Sequence, residues 1–120
     1  PRARGRAARG AAVWASDGGR DPGTPDDSLA EAVRRVRGER DELERRCAAL
    51  GRDPGTIRRR VLAFRARPAP LASLDAFDEY VGSFREIGMD EFVLYWPVRA
   101  DGGRDEAGER VLERVAAERL

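Results

Sequence analysis

The sequence predicts an α/β fold with a parallel sheet, and three observations lead there. Two apolar runs, Val61-Leu62-Ala63-Phe64 and Phe92-Val93-Leu94-Tyr95-Trp96, are rich in branched or aromatic side chains and have no helical period. The segments around them are amphipathic and carry helix start and stop signals. The two kinds of segment alternate along the chain, and at this spacing alternation means right-handed βαβ crossovers between parallel strands.

Taken in order, residues 6–12 read as the tail of a helix, and residues 12–15 as a weak strand ending near Trp14. Ser28 followed by Glu31 is a capping box, in which hydroxyl and carboxylate satisfy free backbone donors at a helix start. From there Leu29, Val33, Val36, Leu43, Cys47 and Leu50 fall on one face, with a doubled step across Arg40. Gly51 supplies the left-handed residue that ends this helix, and Pro54 prevents its resumption. Ile57 to Phe64 is expected as a strand covered on both faces. Ser73 is the N-cap of a second helix with Leu74, Phe77, Val81, Phe84 and Ile87 inward, closed by Gly88. Glu91 to Trp96 is the next strand, stopped by Pro97. A last helix begins near Asp105 and buries Val111, Leu112 and Val115.

Size and composition bound the function. A chain of 120 residues allows one domain, and one this size buries roughly two thirds of its extended surface. Nineteen of its apolar residues are Ala, so the core is thin unless something else covers it. No apolar run reaches the roughly 18 residues of a membrane span, and no apolar stretch follows the basic start as in a secretory signal. A cytoplasmic setting is therefore expected. Cys47 has no partner for an internal disulfide, and without histidine there is no Cys/His zinc site. Cys47 lies on the apolar stripe of its helix with no base to activate it, so a buried structural thiol is expected.

All 23 basic residues are Arg and 22 acids nearly balance them. Five Arg against one Asp in residues 1–20 leave a basic leader of the kind that can contact nucleic acid. The stronger reading is the plainer one, that Arg-for-Lys and Ala-rich usage decorates ordinary solvated helix faces. Two short repeats stand out. Gly-Arg-Asp-Pro-Gly-Thr occurs at residues 19–24 and 51–56, once after a strand and once after a helix, so the copies belong to opposite ends of the sheet. Asp-Gly-Gly-Arg-Asp occurs at residues 17–21 and 101–105, both times between a Trp-bearing strand and a helix. Glycine N–H groups, an Arg and a helix start at the carboxyl end of a strand make an arrangement that can bind phosphate, or simply a solvated turn.

Three stretches in register resemble the C-terminal part of the luciferase-like monooxygenases, which include bacterial luciferase and deazaflavin-dependent oxidoreductases. They are Ala8-Arg9-Gly10-Ala11-Ala12-Val13-Trp14, Gly51-Arg52-Asp53-Pro54-Gly55-Thr56-Ile57 and Gly88-Met89-Asp90-Glu91-Phe92-Val93-Leu94-Tyr95-Trp96. Gly10 stands where the family has an aromatic residue and Ala12 where it usually has Asp. The resemblance implies the last three βα units of a TIM (β/α)8 barrel, residues 1–120 being a partial domain whose missing strands would cover the thin core. It further implies FMN or a deazaflavin coenzyme at the carboxyl ends of the strands, with a small organic substrate. Residues on that edge are Trp14, Ser16 and Asp17 after the first strand, Phe64 and Arg65 after the second, and Tyr95, Trp96 and Arg99 after the third. Trp14 and Trp96 are the expected pocket walls, Ser16 an edge contact, and Arg20 and Arg104 the residues expected near phosphate or substrate. No paired carboxylate, base-activated nucleophile or Walker loop is present, so the catalytic groups are expected outside this segment and the segment alone is expected to be inactive. The competing expectation is a freestanding α/β binding module whose Arg leader contacts nucleic acid. A third, a coiled-coil interaction helix at residues 29–50, is disfavoured by Arg40 in its seam.

Overall fold

The computed structural model describes residues 10, 12–17, 28–63 and 69–120. Three strands, β1 (Val13–Ser16), β2 (Arg58–Leu62) and β3 (Glu91–Val93), alternate with three helices, α1 (Leu29–Leu50), α2 (Leu74–Glu86) and α3 (Glu106–Glu118). The strands form one parallel sheet in the order β1-β2-β3. The mixed α/β class and the parallel sheet are therefore as expected; the helix tail expected over residues 6–12 falls almost wholly outside the described residues.

The helix ends follow from their capping residues. The Ser28 hydroxyl accepts the Glu31 N–H at 3.1 Å, and Gly51 closes α1 at φ +70° with its N–H on Ala48 O. Ser73 caps α2 through the Ala76 N–H, and Asp105 caps α3 through the Gly108 N–H. In α1 the doubled step across Arg40 has a cause. Its guanidinium donates from Nη1 to the Ile87 carbonyl, 2.9 Å away at the carboxyl end of α2, and from Nη2 to Asp41. A cation is favourable there because the last carbonyls of a helix lack intrahelical donors.

Strand register decides what the sheet faces. Trp14 pairs with Arg59, Ser16 with Val61, and Val61 with Phe92, so these side chains share a face. Trp14, Val61 and Ala63 join a buried cluster with Val36, Leu43 and Cys47 of α1, Phe77, Tyr80, Val81 and Phe84 of α2, and Val115 of α3, against which Phe92 and Leu94 pack. All three helices thus contribute to the core on one face. The other face carries Val13, Ala15, Arg58, Arg60, Leu62, Glu91 and Val93, none of them in that cluster. The shortest axis of the molecule, 22 Å, matches one sheet plus one helix layer.

Two strand expectations change. The strand expected over residues 57–64, covered on both faces, is Arg58–Leu62, with the described helices on one face only; Arg58 and Arg60 look outward, while Arg59 turns in and is neutralised by Glu44, Nη1 to Oε1 3.0 Å. Phe64 lies outside the described residues. The strand expected to reach Trp96 ends at Val93, whose carbonyl takes the Ala63 N–H at the end of the β2 ladder. Beyond it the aromatic side chains extend past the paired backbone, and Tyr95 and Trp96 are exposed.

Candidate functional site at the carboxyl edge of the sheet

Parallel strands bring their carboxyl ends to one edge, where ligands of α/β proteins usually bind. At the end of β1, Trp14 is 5 % exposed and belongs to the core between sheet and helices. Ser16 is buried too; its hydroxyl donates to Glu39 Oε1 at 2.9 Å, joining the strand end to the middle of α1. Asp17 is exposed beside it. Arg20, Phe64 and Arg65 lie outside the described residues, as do the first copies of both repeats beyond Asp17 and the Arg-rich leader.

The β3 end is fully described, and there the structure brings two sequence candidates together through a residue that sequence reading missed. Trp96 is 66 % exposed, yet its indole N–H donates to Glu109 Oε1 at 3.1 Å. Arg104 donates to the same carboxylate, Nη2 to Oε2 at 2.7 Å. Glu109 stands on the first turn of α3, where the helix dipole favours an acid. The Arg104 hydrogen bond, then that of Trp96, holds its carboxyl below the usual range, and Glu109 in turn raises the Arg104 pKa. No motif spacing links Trp96 to Glu109; the acid in the first helical turn was the only available signal.

The loop between them is a small hairpin. Val98 and Arg104 form an antiparallel bridge, Arg99 N–H donates to Gly103 O at 2.8 Å, and Gly102 N–H to Arg99 O at 2.9 Å. Asp101 accepts the Gly103 N–H at 2.8 Å and pairs with Arg99 at 2.9 Å, and these bonds depress its pKa in that order. An open cleft of about 490 Å³ is lined by Arg99, Arg104, Asp105 and Glu106. Its cations and the N–H groups of Gly103 and Gly108 are thus engaged by the chain's own carboxylates, and an added anion has to compete with them. The second Gly-Arg-Asp-Pro-Gly-Thr copy, residues 51–56, sits at the opposite edge as a turn in which Asp53 accepts the Gly55 N–H.

Cys47 is fully buried as a free thiol. Among the described residues no cluster of His, Cys, Asp or Glu could hold a metal ion, and no helix is long and apolar enough to cross a membrane. Comparisons with protein-family models, with curated proteins and with solved structures give no match.

Proposed function

We propose that this chain is an arc of a (β/α)8 barrel of the luciferase-like type, contributing its strand carboxyl edge to an FMN or deazaflavin pocket of an oxidoreductase. The observation that carries the reading is the winding of the sheet. Strand order follows sequence order, and among the described residues every helix packs on the same face. Doubly wound sheets reverse their order and cover both faces, whereas a barrel keeps one sense and turns the helix-free face inward.

The residues present fit part of such a cofactor. The exposed indole of Trp96, oriented through its N–H, offers a flat surface on which a fused ring system can stack, and Arg104 stands on the same carboxylate. The phosphate finds less here, because Arg99 and Arg104 are already paired. Its binding groups belong, in this reading, to the rest of the barrel. When bound, the cofactor would supply the redox chemistry, oxygen activation in the flavin case and hydride transfer in the deazaflavin case. The chain's own work would be to orient the ring and exclude water.

Two measurements test the reading. The coding region ahead of residue 1 should continue through about five further βα units, on the order of 150–200 residues. The intact product should bind FMN or a deazaflavin saturably, with binding weakened by Trp96→Ala. An unrelated domain or a stop codon immediately upstream overturns it, as does an intact product that binds neither coenzyme.

A further inference from the structure

We propose that Trp96 and Arg104 form a subsite for an uncharged, planar heterocycle whose edge carries carbonyl oxygens, with Arg104 addressing that edge rather than a phosphate; the proposal rests on the coenzyme reading above and names the part of the coenzyme held here. The indole N–H of Trp96 is engaged by Glu109 Oε1, so this exposed side chain offers a ligand only its ring faces. Arg104 sets one edge of its guanidinium on the same carboxylate, Nε to Oε2 at 3.2 Å and Nη2 to Oε2 at 2.7 Å. Its Nη1 end has no partner among the described residues, and the side chain is 74 % exposed. Glu109, itself only 12 % exposed, thus holds a stacking surface and a planar donor edge beside the cleft that Arg104 lines.

Charge decides what that edge accepts. Around the cleft stand Arg99 and Arg104 with Asp101, Asp105, Glu106 and Glu109, two cations against four carboxylates among the described residues. Asp101 holds Arg99 as Glu109 holds Arg104. A phosphate entering here meets cations already neutralised, together with the exposed carboxylate of Glu106. A carbonyl oxygen carries no net charge, so it accepts the open N–H groups without that repulsion. The guanidinium is a rigid plane, and fixing one edge on Glu109 fixes the direction of the other. A fused ring of the flavin or deazaflavin type meets both demands, with a face to stack and carbonyl oxygens in the ring plane.

Lumichrome, a tricyclic dione of the flavin type with neither ribityl chain nor phosphate, is the probe. The intact gene product should bind it, and Trp96→Ala and Arg104→Lys should each weaken binding by about tenfold, since the first removes the stacking face and the second keeps the charge but loses the planar donor edge. Arg104→Lys should leave the ratio of FMN to riboflavin affinity unchanged. The indole N–H resonance of Trp96, identified by its loss in Trp96→Ala, should keep its position in Arg104→Lys, which assigns the lost affinity to the guanidinium edge; a resonance that moves overturns the role given to Arg104. Lumichrome that does not bind, or binds both variants as well as the unaltered protein, overturns the proposal. A fall in FMN affinity with riboflavin unaffected places Arg104 on the phosphate, overturns the proposal and leaves the coenzyme reading standing. Lumichrome binding that needs both residues, in a product that binds neither FMN nor a deazaflavin coenzyme, sinks the coenzyme reading and leaves this one standing.

Discussion

The two tryptophans, both expected as pocket walls, divide at the level of single side chains. Trp14 is enclosed by sheet and helices; Trp96 keeps two thirds of its surface in water and hydrogen-bonds to Glu109. Trp14→Ala should therefore destabilise by about 3–5 kcal/mol, and Trp96→Ala by under about 0.5 kcal/mol. Urea denaturation of the two variants checks this, and equal losses would place Trp96 inside the core. Tyr80 gives a second residue-scale prediction. It is 4 % exposed, stacks edge-on to Phe84 at 4.9 Å, and burial raises its phenol pKa to about 12. The fold favours the neutral phenol, so its contribution is intact below the unfolded value near 10 and is lost as pH rises from about 10 to about 12. Tyr80→Phe should leave stability at neutral pH nearly unchanged and flatten the alkaline loss. Thermal melts between pH 7 and 11 read both effects; an unchanged alkaline slope in the variant would assign the loss elsewhere.

At the scale of elements, one substitution should act with opposite sign on two glycines, one inside α1 and one capping it. Gly38 lies in the helix interior with open space where a Cβ would go, so Gly38→Ala should stabilise by about 0.5–1 kcal/mol. Gly51 holds φ +70° at the end, where an L side chain is strained, and Gly51→Ala should destabilise by about 1 kcal/mol. Opposite shifts of the urea midpoint are the expected readout. The caps that make these predictions possible were legible because a cap is local: Ser28, Gly51, Ser73 and Asp105 each act within a turn of the helix end they define. The strands were less legible. Nothing local in Arg58-Arg59-Arg60 says that the middle guanidinium turns inward to Glu44 while its neighbours turn outward, since that depends on where the preceding helix packs and brings Glu44. Strand length beyond Val93 was equally hidden, because it depends on a neighbour's backbone and not on the apolar character of Tyr95 and Trp96. The candidate site was half legible for the same reason. Trp96 and Arg104 were visible from edge position, whereas Glu109, which holds both, required the hairpin and the α3 cap to be placed.

For the molecule as a whole the outstanding physical feature is the incomplete enclosure of its sheet. Arg58 N–H donates to Ala12 O, and the alternation of a parallel ladder then turns the backbone groups of Trp14 and Ser16 toward β2 and those of Val13 and Ala15 away from it. That outer row on β1 is an unpaired edge among the described residues, and unpaired edges invite strand addition. Ala15→Pro removes an outward N–H and breaks no bond to β2. In the 120-residue chain it should reduce concentration-dependent association, read by sedimentation velocity, while leaving the melting temperature within a few degrees. On the proposed barrel reading the same substitution would meet a different environment, because a preceding strand would pair with that row. There Ala15→Pro should cost about 3 kcal/mol through the lost ladder bond and the strain around it. A substitution tolerated equally in the short chain and in the intact product means that β1 is a true outer strand, and the ring of strands does not close beside it.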